Sequence, residues 1–138
     1  MPSRLHAYVQ SMLIAEFAKD ADYQPFSELS LHLPGDKPRT PDICLYPRRV
    51  QDWLHDDTII TEPPALVVEI FSPSQTGQEL MEKVQAYLAT GVKSVWLVSP
   101  PMRSIALYYG QNPGITYGSG DIIDPVINVK ISHSAVFA

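Results

Sequence analysis

The stretch Pro63-Pro64-Ala65-Leu66-Val67-Val68-Glu69-Ile70-Phe71-Ser72-Pro73-Ser74 decides how this chain folds. Ala65 to Phe71 is too short for a core helix and rich in β-branched residues, so it reads as a central strand buried on both faces. One carboxylate, Glu69, interrupts it. Ser72-Pro73-Ser74 ends the strand and leads toward a helix with the apolar stripe Leu80, Val84, Tyr87 and Leu88, closed by Gly91 as a C-cap. Val92 to Val98, containing Val95-Trp96-Leu97-Val98, is the next buried strand. Strand, helix and strand in such close succession form a βαβ crossover, which predicts that the Glu69 and Trp96 strands run parallel.

Upstream, a helical period counted from Leu5 puts Leu5, Val9, Met12, Leu13 and Glu16 on one stripe, with Ser3 as N-cap. An unpartnered carboxylate is costly to bury, so Glu16 either finds a metal, a cation or water there, or the helix end frays and releases it to solvent. Leu29-Ser30-Leu31-His32-Leu33 alternates apolar and polar residues as a half-buried strand does. Asp42-Ile43-Cys44-Leu45-Tyr46 reads as its hairpin partner, reached through Pro38 and Pro41. Pro47 to Pro64 reads as a surface loop with a turn near Trp53. Ile105 to Tyr109 and Ile122 to Val136 read as short strands split by Asn112-Pro113-Gly114 and Gly118-Ser119-Gly120.

The chain has 138 residues, enough for one domain with a single core, spanning 1–138. Ten basic against fifteen acidic residues give a net charge of −5, so no global positive field holds a nucleic-acid backbone, and any such binding is local or metal-assisted. A lone Cys44 forms no internal disulfide, and no Cys/His pair has zinc-ligand spacing. The expected location is cytoplasmic. No apolar run approaches the roughly 18 to 20 residues of a bilayer span, and no membrane role is expected.

Acids stand at unusual points in this order of elements: Glu16 on an apolar helix face, Asp42 at a strand start, Glu69 inside a buried strand. Carboxylates converging in a sheet core make sense around a hard cation. Magnesium takes oxygen ligands and keeps several waters, which suits Asp42 and Glu69 with a backbone carbonyl near Ile70. Such a metal activates water and stabilises charge on a cleaved phosphodiester. Lys83, at the edge of the second helix's stripe, offers the complementary cation. Glu79 lies four residues before it in the orientation of a solvated helix pair, however, and on the residues alone that pair is the better account of Lys83.

Other candidates carry less. His6, His32, His55 and His133 show no mutual metal spacing. Ser72-Pro73-Ser74 lacks the flanking glycines of a nucleophile elbow and suits helix capping. Arg48-Arg49, with Lys37 and Arg39, offers phosphate contacts or is simply a solvated loop. Cys44 reads as a small buried hydrophobe. No Gly-rich phosphate loop is present.

Pro41-Asp42-Ile43, the stretch from Pro63 to Ser74, Glu82-Lys83, Tyr87, Gly91-Val92 and Val95-Trp96-Leu97-Val98 together resemble the Uma-two family of restriction endonuclease-like proteins, in order and spacing. The resemblance runs from His6-Ala7-Tyr8-Val9 to Phe137. It implies an α/β fold with a PD-(D/E)xK core, a mixed central sheet flanked by helices. It also implies an endonuclease hydrolysing phosphodiester bonds, with DNA as the expected partner and Mg2+ or Mn2+ as the cofactor. By this resemblance Asp42 and Glu69 bind the metal, while Lys83 matches the family's migrated lysine, since the superfamily's lysine position two residues after the glutamate holds Phe71 here. Glu16 resembles the superfamily's first-helix acid. Gln75 and Glu79 replace a common threonine and aspartate. A homodimer would let two such sites cut two strands. The competing expectation is a catalytically inactive binding module on the same fold, consistent with the net charge of −5.

Overall fold

The computed structural model describes residues 2–138. The chain runs α1 (Arg4–Phe17), β1 (Tyr23–Ser27), β2 (Ile43–Pro47), β3 (Leu66–Ile70), α2 (Gly77–Ala89), β4 (Ser94–Ser99), β5 (Ser104–Tyr108), β6 (Ile115–Tyr117), β7 (Asp121–Ile123), β8 (Lys130–Ser132) and α3 (His133–Phe137). Strands β1 to β6 form one sheet in sequence order, and β7 pairs with β8 alone. Only β3 and β4 run parallel within the large sheet, joined through α2 as the crossover predicts. No described helix is long and apolar enough to cross a membrane.

Every residue of β3 is buried, because helices cover both faces of the sheet. On one face Val9, Leu13 and Phe17 of α1 pack on Leu66, Val68 and Ile70, with Trp96 tilted against Phe17 at 5.4 Å between ring centres. On the other face Val84 and Tyr87 of α2 pack on Val67, Cys44 and Val95. Alternation along β3 therefore aims Val67 and Glu69 toward α2.

Two local assignments from sequence are corrected. Leu29–Leu33 does not pair with the Asp42 strand; β1 does, with Phe26 opposite Cys44, and Leu31 makes only isolated bridges to Arg39 and Ile60. The alternation of Leu31 and Leu33 reflects burial beneath α2 and not a ladder, while Glu28 at φ 52° breaks the chain from β1 into that segment. β1 itself was hidden by Pro25 at its centre, a residue confined within sheets to edges, strand starts and bulges. The segment around Val136 is likewise helix α3 and not a strand.

Gly91 closes the turn after α2 with φ +103°, a conformation L side chains avoid, and a Cβ there would meet Pro63 at 3.3 Å. That contact packs the α2 exit against the entry to β3. The loop after β2 projects Val50, Trp53 and Leu54 into solvent, with a turn at Trp53 as read from the sequence.

Candidate active site

Ile43 pairs with Val68 in the antiparallel β2–β3 ladder, so continuing the register by one residue sets Asp42 opposite Glu69. Both acids lie at the end of the sheet where parallel β3 and β4 finish, the end at which open α/β sheets characteristically present ligand sites. Asp42 sits just before its strand begins and is held from two directions. Its Oδ2 accepts the Ile70 backbone N–H at 2.7 Å, and its Oδ1 lies 3.1 Å from His6 Nε2. Gln10 of α1 donates to the Asp42 carbonyl at 2.9 Å, tying the strand start to the helix.

Glu69 is 5% exposed, an unusual situation for a carboxylate on a fully buried strand. Tyr87 of α2 donates its hydroxyl to Glu69 Oε1 at 3.1 Å, and Lys83 Nζ stands 4.0 Å from Oε2. Burial pushes the Glu69 carboxyl up to about 7; the Lys83 ammonium opposes that rise, the Asp42 charge adds to it, and the Tyr87 hydrogen bond and Arg39 oppose it more weakly. Burial also raises the Tyr87 hydroxyl, which keeps it a donor. The Arg39 guanidinium lies 5.6 Å from the centre of the Tyr87 ring and is itself forked onto Asp36 at 2.6 and 3.2 Å.

The fold thus brings Asp42, Glu69 and Lys83 together from three separate elements. The ion-pair partner of Lys83 is Glu69 and not Glu79, so the solvated helix pair does not form. Thr76, not the Ser72-Pro73-Ser74 turn, caps α2, by accepting from Glu79 N–H at 3.1 Å. Glu16 is not brought to this group. The buried stripe of α1 is His6, Val9, Leu13 and Phe17, while Leu5, from which the period was counted, is 59% exposed. Glu16 pairs with Lys19 at 2.7 Å, and ten residues along the helix from His6 it lies roughly 15 Å away along the axis.

His6 and Tyr87 are the members of the cluster that sequence reading passed over as site residues, and Arg39, expected as a phosphate contact or part of a solvated loop, lies over the Tyr87 ring. A search for metal spacing could not find His6, because it contacts a ligand candidate and no second histidine. Tyr87 was visible as an apolar stripe member and as part of the family-like motif, without a role in the site. The helical spacing of four between Lys83 and Tyr87 was the available signal, since it puts both side chains over the same part of the sheet.

Among the described residues, no three His, Cys, Asp or Glu side chains converge tightly enough to enclose a metal. The oxygen donors present are the two carboxylates, which matches the way Mg2+ is held, by one or two carboxylates with water and substrate phosphate completing its shell. A second observation fits a cation: Glu69 is hard to ionise because it is buried beside Asp42, and an added positive charge relieves that cost.

The family model described as "Uma2: Putative restriction endonuclease" matches residues 1–125. A solved structure described as "a putative nuclease belonging to DUF820 from Anabaena variabilis ATCC 29413" is similar with a TM-score of 0.82. The match covers 99% of this chain and 82% of that one at 22% sequence identity, which is a likeness of fold. No curated protein matches the chain.

Proposed function

Because the chain belongs to the Uma2 family, with the mixed sheet between helices that its sequence implied, we propose that it is a metal-dependent endonuclease cleaving phosphodiester bonds, with DNA as substrate. The observation that carries this reading is the meeting of a buried Glu69, a strand-start Asp42 and a helix-borne Lys83 at one end of the sheet. Asp42 and Glu69, with the Ile70 carbonyl, would hold Mg2+ or Mn2+. When bound, such an ion stabilises charge on a phosphoryl oxygen and lowers the pKa of a water.

The protein's own groups account for the remaining work. The Ile70 N–H and His6 fix the Asp42 carboxylate, and the Tyr87 hydroxyl fixes Glu69. Lys83 is one-third exposed, so its ammonium reaches both the buried carboxylate and arriving solvent or phosphate. From there it orients an attacking water or offsets charge developing on the scissile group. A homodimer would set two such sites against the two strands of a duplex.

Calorimetric titration of Mg2+ and Mn2+ into the protein, beside Asp42→Ala/Glu69→Ala, tests the metal site, and the same samples are assayed on supercoiled and single-stranded DNA. We expect binding and nicking in the native chain and neither in the double variant. Lys83→Ala should keep its metal binding but lose cleavage by about 100- to 1,000-fold, the usual cost of removing one charge-stabilising group. Absence of metal binding even with DNA present, or cleavage unchanged in Asp42→Ala or Lys83→Ala, would overturn the proposal in favour of a non-catalytic binding module.

A further inference from the structure

The two acids are not held by the sheet alone. Each is contacted from a different helix: Asp42 Oδ1 lies 3.1 Å from His6 Nε2 of α1, and Glu69 accepts a hydrogen bond from Tyr87 of α2. The helices cover opposite faces of the sheet, so the pair of carboxylates is gripped from both sides. We propose that His6 and Tyr87 are positioning residues that set the orientation of the two acids, leaving Glu69 Oε2, the oxygen nearest Lys83, as the one offered to a cation. This inference rests on the metal-site reading above.

His6 makes the stronger case. It is 7% exposed, and its Nδ1 is fully buried with no hydrogen-bond partner. Leaving a buried acceptor unpaired costs about 1–3 kcal/mol, which an apolar side chain of similar size would avoid. The fold tolerates that orphan atom where the opposite nitrogen stands 3.1 Å from Asp42 Oδ1.

Tyr87 is 1% exposed and clamped in turn, since Arg39 lies over its ring and Asp36 fixes Arg39. The Tyr87 donor is uncharged, and that matters for the chemistry. A cationic donor there would cancel the negative charge a metal requires, whereas a phenol O–H fixes orientation and leaves the charge available. The Ile70 N–H adds to the arrangement by donating to Asp42 Oδ2 at 2.7 Å, beside the His6 contact at Oδ1.

The test is Mn2+ affinity of the full chain by calorimetry, with thermal unfolding of the metal-free protein alongside. We expect His6→Leu and Tyr87→Phe each to weaken Mn2+ binding by about 10- to 100-fold, the usual cost of losing an outer partner of a metal ligand. His6→Gln, whose amide nitrogen takes the place of Nε2, should recover most of the loss. Leu80→Ala, on α2 but without a hydrogen bond to Glu69, should lower the unfolding temperature and leave affinity alone. Native protein that binds Mn2+, with His6→Leu and Tyr87→Phe binding equally well, would overturn this inference alone. Native protein that binds no Mn2+ would overturn the metal-site reading with it.

Discussion

Glu69→Gln should abolish the proposed metal-dependent cleavage and at the same time make the metal-free protein more stable above neutral pH. The two effects share one origin, the burial of a carboxylate beside Asp42. In the folded chain that carboxyl is pushed up to about 7, against an ordinary value of 4.5. Between those limits the folded state holds more proton than the unfolded state, so stability of the metal-free native protein falls as pH rises from about 4.5 to about 7 and then levels off. The loss is on the order of 3 kcal/mol. Glutamine keeps the acceptor for Tyr87 but never ionises, so its stability should not fall across that window. Urea unfolding at pH 5 and pH 8 measures both slopes. A Glu69→Gln protein less stable than native at pH 8, or one that still cleaves, would contradict the account. Adding Mn2+ at pH 8 should restore stability to the native chain by mass action and do nothing for the variant.

Asp124→Ala should cost on the order of 3–5 kcal/mol of stability, a large share of what a domain of this size possesses. Asp124 is completely buried. Its carboxylate accepts from Ser94 Oγ at 3.1 Å, Trp96 Nε1 at 2.9 Å, Val126 N–H at 2.8 Å and Ile127 N–H at 3.1 Å. Alanine would strand donors on strand β4 and on the turn leading to β8 in one step. Asp124→Asn provides the graded comparison: it keeps one acceptor oxygen but turns an amide N–H toward a neighbouring donor, and should lose less than alanine. Denaturant midpoints with unchanged m-values would report both. A loss below about 1 kcal/mol for the alanine variant would mean that the stranded donors find water instead.

Much of this architecture is legible in the sequence wherever burial follows a regular period. Ala65 to Phe71 announced the central strand, and the stripe Leu80, Val84 and Tyr87 announced the helix that returns the chain to a parallel neighbour. Glu69 stood out because an acid in such a run is conspicuous. The errors arose where a tertiary partner outweighed local pattern. Pro25 masked β1, and the alternation of Leu31 and Leu33 imitated a strand that the sheet does not contain. Leu5 drew the α1 stripe toward Glu16, although the sheet takes the neighbouring face with His6 and Phe17. Asp124 gave no signal at all, since its donors Ser94 and Trp96 lie about thirty residues earlier and only the folded chain brings them to it. Lys83 lay between these cases: its spacing from Glu79 favoured a surface pair, and resemblance of the whole motif was needed to direct it inward.

Pro25 has a consequence for how this protein behaves in crowded solution. It occupies the middle of β1, the outermost strand on its side of the sheet. A residue's N–H and C=O point to the same side of a strand, and the Pro25 carbonyl is already covered by the Gln24 side-chain amide at 3.2 Å. Arg48 in turn holds the Gln24 side chain in place. The centre of this edge therefore offers a newcomer neither a donor nor a free acceptor, and β6 on the opposite side spans only three residues. A sheet finished this way resists growth by strand addition, the step that starts many β-rich proteins toward fibres.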